Sequence, residues 1–134
     1  MATDEDSPLD RIRAICSRFP EVTERPSHGA PTWFIHDKRS FVMLWADGHH
    51  DNHFPHLWCA APPGVQQELM AASPRVYFRP PYVGHRGWVG MRLDRGADWA
   101  EVAEVCEEAY RAVAPKRLLA ALDTGPPENP SGRR

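Results

Sequence analysis

At 134 residues the chain has the length of a single domain, long enough to bury about two-thirds of the surface it exposes when unfolded. Apolar residues at 42% and aromatics at 10% exclude global disorder, and a formal net charge of -2 with a pI near 6.4 excludes a molecule-wide field that draws polyanions. Three widely spaced cysteines, Cys16, Cys59 and Cys106, each in an apolar setting, read as buried thiols in a reducing compartment; with an acidic start and no apolar run of about 18 residues, a soluble cytoplasmic protein is expected.

Ser7-Pro8-Leu9-Asp10 is a helix start: a capping hydroxyl, a proline in the first turn and an acid behind it. Leu9, Ile12, Ile15, Cys16 and Phe19 make one apolar stripe, which Pro20 and Pro26 end. After the turn-rich Ser27 to Pro31, strands are predicted at Thr32 to His36 and Arg39 to Trp45, a hairpin broken at Asp37-Lys38. The second strand is apolar on both faces and is therefore expected to be central. A polar loop from Ala46 to Phe54 leads to a third strand, Pro55 to Ala61.

Pro62-Pro63-Gly64 breaks that strand, and Val65, Leu69 and Met70 mark a short helix that Pro74 terminates. Arg75 to Arg79 reads as a short strand. Pro80 and Pro81 fix φ while Gly84 and Gly87 permit positive φ, so the chain reverses before a strand from Trp88 to Asp94. Period-two alternation sends Val89, Met91 and Leu93 to the core and Trp88, Gly90 and Arg92 to the other face. Asp98 with Glu101 forms a capping pattern ahead of the strongest helix, carried by Trp99, Val102, Ala103, Cys106, Ala109, Tyr110 and Val113. A last short helix begins at Pro115. The domain is expected to span 1–122, with a disordered tail at 123–134.

This order, with His28-Gly29-Ala30-Pro31-Thr32-Trp33-Phe34, Pro80-Pro81-Tyr82-Val83-Gly84 running into Gly87-Trp88-Val89, Asp98-Trp99, and Tyr110 to Pro115, resembles the MmcQ/YjbR family of small bacterial proteins. The resemblance runs from about Leu9 to Leu122. It implies a single-domain α+β fold, an antiparallel sheet with helices packed on it in a frataxin-like or double-wing layout. The family is called DNA-binding because that fold is similar to a double-wing domain of a phage transcription factor, a warrant from analogy. The resemblance supplies no catalytic residues.

The residues offer four chemistries. Between Arg75 and Arg95, five arginines face one acid, Asp94, a formal +4 segment. Arg75, Arg79, His85, Arg86, Trp88 and Arg92 are the candidate DNA-binding residues, the arginines on phosphates and the indole on a base. Against this stand three plain readings: arginines that only keep loops and strand edges soluble, a Trp88 that packs under the last helix, and a proline-rich turn that only closes a hairpin. His49-His50-Asp51-His53 supplies ligand types that suit zinc, copper or nickel, but at no established spacing, so neither a metal nor any other cofactor is expected. Cys59 with His28, His53 or His56 as base has the parts of a nucleophile pair, yet its apolar strand marks it as a core residue, and no enzyme activity is expected. An iron-collecting acidic ridge is not built, because Asp10 is interleaved with Arg11, Arg13 and Arg18. The rival to DNA binding is a protein-interaction or small-ligand module, with an aromatic cleft drawn from Trp33, Trp45, Trp58, Trp88, Trp99, Phe34, Tyr77 and Tyr82. Exposure discriminates: a solvent-facing Trp88 and Arg92 beside Arg79 and Arg86 favours nucleic acid, an enclosed aromatic pocket the ligand module.

Overall fold

The structure is a computed structural model that describes residues 7–49, 52–94 and 96–124. In chain order it contains α1 (Pro8–Cys16), β1 (Val22–Ser27), β2 (Ala30–Ile35), β3 (Arg39–Trp45), β4 (His56–Cys59), α2 (Val65–Ala72), β5 (Tyr77–Phe78), β6 (Val89–Arg92), α3 (Trp99–Val113) and α4 (Lys116–Thr124). All six strands join one antiparallel sheet in the order β1-β2-β3-β4-β6-β5. The expected α+β architecture is present, with β3 interior to the sheet as its two apolar faces require.

Strand β1 lies where the sequence reading saw only the end of a helix. Four of its six residues are exposed, so it has no apolar alternation to detect, and Pro26 sits in it because an edge strand can spare an N–H. Polar contacts hold it instead: Nε and Nη2 of Arg13 each donate to the Glu24 carboxylate at 2.8 Å, and Arg25 Nε donates to Asp37 at 2.7 Å. Two tight turns then shape the hairpins, with His28 and Gly29 at positive φ after β1 and His36 and Asp37 at positive φ after β2. Helix α1 stops at Cys16, and Phe19 is buried from the turn that follows it.

Helices α1 and α3 pack together, and α3 crosses β3 and β4. Asp98 caps α3, its carboxylate accepting from the backbone N–H groups of Ala100 and Glu101. Val102, Cys106, Ala109 and Tyr110 form the buried stripe. Facing it, Leu57 pairs with Met91 and Cys59 with Val89 on one side of the sheet. Between β2 and β3 the register jumps: Trp33 pairs with Val42 but Phe34 with Ser40, leaving Phe41 as the bulged residue. That extra residue turns Phe41 onto Tyr110, ring centroids 5.6 Å apart, while Val42 stays opposite Cys59.

Cys16, Cys59 and Cys106 meet in this core, the first two thiols hydrogen-bonded to the third. Burial raises the Cys16 thiol, and its bond to Cys106 together with burial raises Cys59, so Cys59 stays protonated at neutral pH. None of the three forms a disulfide. His56 lies three residues from Cys59 in β4 and therefore points to the opposite face of the sheet. His28 and His53 are exposed on loops.

At the C-terminal end, Asp123 and Thr124 complete α4 rather than opening a tail, and Asp123 accepts from Arg111 at 2.6 Å. The remainder of the expected disordered segment lies outside the described residues, as do His50, Asp51 and Arg95. Among the described residues no helix is long and apolar enough to cross a membrane.

Candidate nucleic-acid interface

Strands β5 and β6 form an antiparallel hairpin whose connection carries Pro80, Pro81, Tyr82 and a short 3-10 turn at Gly84–Arg86. Gly87 closes it at φ 89°. The first part of the expected strand at Arg75 to Arg79 is turn, and only Tyr77–Phe78 pairs. The tip is fixed from beneath. The buried side-chain amide of Gln66, on α2, donates to the carbonyls of Gly84 and Trp88, which tethers both ends of the reversal. Arg79 lies across Gly84 so closely that a Cβ there would come within 2.6 Å of its Cγ, which explains the glycine.

Arg79, His85 and Arg86 are all exposed at this tip. Arg75 is exposed too, but it precedes β5 and so lies at the hairpin's other end. Among the described residues none of these four side chains has a carboxylate partner.

Two of the predicted residues are withdrawn from the interface, so the exposure of Trp88 and Arg92 that would favour nucleic acid is not met. Trp88 is only 4% exposed. It lies between the Gly87 turn and β6 and is packed into the core, its ring under the Arg86 guanidinium at 5.5 Å. Arg92 does lie on the face away from the helices, but it donates twice to Asp94, at 3.0 and 2.8 Å, and stacks 3.8 Å from the centre of the Phe54 ring. Its charge is neutralised within the protein. The exposed aromatic at the tip is Tyr82, 72% exposed, a residue the sequence reading gave no role at the interface. Its backbone is held at φ 66°, a left-handed conformation that a bulky residue rarely adopts and that turns the phenol outward.

Behind the tip, the face of the sheet away from α3 carries an aromatic row. Trp58 and Phe78 both oppose Gly90, and the Phe78 ring fills the space where a side chain at Gly90 would be. His49 packs on Trp45 and Trp58, with ring centroids 4.4 and 5.0 Å away, and presents an edge to Tyr82 at 6.1 Å. Thus His49 is part of an aromatic cluster. No group of three or more metal-ligating residues is present among the described residues.

His56 is fully buried in this row. Its Nδ1 is 2.7 Å from the Phe54 carbonyl, which can only accept, so Nδ1 carries the proton and Nε2 keeps a lone pair. Burial lowers its pKa. The unfolded chain therefore binds this proton more readily, and the resulting stability is full above the unfolded value and is lost as pH falls below about 6.5. We expect chemical denaturation to show a loss of up to about 1.4 kcal/mol per pH unit just below that point. His56→Phe should flatten this limb; a parent whose stability is level from pH 7.5 to 5.5 would contradict the assignment. Glu21, Glu24, Asp37 and Asp123, whose pKa values are lowered by hydrogen-bonded arginines, act only in a more acidic window.

These features define a small α+β domain that backs a six-stranded antiparallel sheet with helices and carries exposed cations at the tip of its β5–β6 hairpin. The YjbR family model matches residues 17–112, more than half of the chain, and the chain belongs to that family. The crystal structure of Deinococcus radiodurans protein DR2400, a DUF419 domain, superimposes with a TM-score of 0.68 over 100% of this chain and 99% of that one. At 18% identity this is a likeness of fold. None of the curated proteins matches the chain.

Proposed function

We propose that the protein binds nucleic acid through the β5–β6 tip, with Arg79, His85 and Arg86 on backbone phosphates and Tyr82 stacked on a base. The observation that carries this reading is Tyr82 itself, 72% exposed at positive φ among cations that have no carboxylate partner among the described residues. Apart from its edge contact with His49, the ring is held outward in a strained conformation with most of its surface open, and base stacking uses such a ring. Because stacking on a protruding side chain needs an unstacked base, a single strand is the preferred target over a duplex. The net charge of -2 keeps the attraction local to the tip. The proposed role is binding rather than catalysis: Cys59, the candidate nucleophile, is a protonated core thiol on the face opposite His56. Three buried, unbridged cysteines support a reducing compartment, the cytoplasm.

Anisotropy of a labelled oligonucleotide, single-stranded and duplex, at two salt concentrations tests this. Binding should weaken steeply with salt, and Arg79→Ala and Arg86→Ala should each lower the log–log salt slope by about one. Tyr82→Ala should weaken single-strand binding by about 1–3 kcal/mol and duplex binding less. Absence of binding at low salt, or a Tyr82→Ala variant that binds like the parent, would overturn the reading.

A further inference from the structure

Three elements, each with its own reason to face inward, bring the cysteines together. Cys106 belongs to the buried stripe of α3. Cys59, opposite Val42 and Val89, lies on the face of β4 that α3 covers. Cys16 ends α1, whose buried side packs on α3. All three are fully buried and unbridged, and the thiols of Cys16 and Cys59 both hydrogen-bond to Cys106. Sulfurs already in hydrogen-bond contact need only a small approach to reach the about 2.05 Å of a disulfide.

The three thiols are not equivalent. Hydrogen bonds from Cys16 and Cys59 lower the pKa of Cys106, against its burial, which makes Cys106 the nucleophile of the cluster. Its partner is decided by which element can move. Cys59 is set in β4 between β3 and β6, where ladders on both sides fix it. Helix α1 lies outside the sheet as the first described element, and Cys16 stands at its end beside a turn. Local opening is cheapest at such an element, and lifting α1 from α3 uncovers Cys16 and Cys106 together.

We propose that Cys16 and Cys106 are a redox pair, closed to a disulfide by a hydroperoxide and reopened by a dithiol. The Cys106 sulfur attacks hydrogen peroxide: an S–O bond forms, the O–O bond breaks, and the leaving hydroxide takes up the proton that Cys106 gave up, as water. The Cys16 sulfur then displaces the oxygen of this sulfenic acid. The S–S bond forms, the S–O bond breaks, and the hydroxyl departs as water with the Cys16 proton. Two thiols are oxidised by two electrons in all, and one peroxide is reduced to two waters. The pair lies on the helix side of the sheet, so it does not depend on nucleic-acid binding at the tip.

Peptide mapping of the folded parent protein decides the matter: treatment with equimolar hydrogen peroxide, then unfolding in iodoacetamide and mass spectrometry. Two of the three cysteines should escape alkylation, and a linked Cys16–Cys106 peptide should appear that dithiothreitol removes. Cys59→Ala should still form the bridge. Cys16→Ala should instead leave a sulfenic acid on Cys106 that dimedone traps, and melting temperatures show that both variants are folded. The proposal fails if all three parent thiols remain alkylatable, if sulfinate accumulates on Cys106 without a bridge, if the linked peptide joins Cys59, or if the bridge forms only after urea has unfolded the chain.

Discussion

Tyr110→Ala is expected to destabilise the protein by about 3–5 kcal/mol, the range for removing a large buried aromatic. Tyr110 has no exposed surface and joins three elements. Its ring is 5.0 Å from Phe19, beyond the end of α1, and 5.6 Å from Phe41, at the bulge in β3, and its own backbone belongs to α3. Collapse into the void is resisted because Phe41 is set by the sheet register and Phe19 by the turn after α1. Domains of this kind are stable by only about 5–15 kcal/mol, so the variant should lose a large share of its total and shift its urea midpoint with little change in slope. Tyr110→Phe separates the ring from the hydroxyl. It removes only the hydrogen bond donated to the Pro20 carbonyl at 2.8 Å and should cost about 1 kcal/mol. If the alanine variant loses no more than the phenylalanine one, the aromatic junction does not hold α1, β3 and α3 together.

What the sequence reveals about this fold follows from where the physics is local. Helix α3 was legible because Asp98, Glu101 and the stripe through Tyr110 lie within one segment. The hairpin tip was legible for the same reason, since Pro80, Pro81, Gly84 and Gly87 dictate backbone angles regardless of the rest of the chain. Strand β1 was not legible: an exposed edge shows neither an apolar run nor alternation, and its register comes from β2. The bulge at Phe41 is equally a property of two strands.

The candidate interface divides along the same line. The exposure of Arg79, His85 and Arg86 is legible because a cation on a tight turn has nowhere to be buried. Trp88 is buried, and burial of an outward-reading strand position depends on what packs over it, which its own segment does not state. Arg92 is different, for its neutralising partner was within reach of the sequence: residues two apart on an extended segment share a face, and Asp94 stands two residues on. Tyr82 is set by a positive φ that no residue near it requires, and Gln66 acts on carbonyls 18 and 22 residues away. Both needed the folded chain.

Gln66 also gives the sharpest test of whether the tip is held from beneath. Gln66→Glu preserves the shape of the side chain and exchanges one amide donor for an oxygen. At neutral pH a carboxylate would then face the carbonyls of Gly84 and Trp88 in a buried position, an arrangement that repels and desolvates the charge at once. The new glutamate is expected to take up a proton instead, with a folded pKa raised well above its unfolded value. The sign follows: the penalty is largest at high pH, about 3 kcal/mol for a rise of a little over two units, and it shrinks as pH falls toward the unfolded value, where both states carry the proton. Unfolding of parent and variant from pH 8 to pH 5 should therefore converge, even though the parent itself loses stability over part of that range through His56. Gln66→Leu, which cannot donate at any pH, should show a pH-independent loss of about 1–3 kcal/mol, moderated because the Gly84 carbonyl keeps the N–H of Gly87. Faster amide exchange confined to residues 79–88 in either variant would mark the tip as the part released. Should both variants match the parent's stability at every pH, the two Gln66 hydrogen bonds contribute nothing, and Tyr82 is held outward by the chain from Pro80 to Gly87 alone.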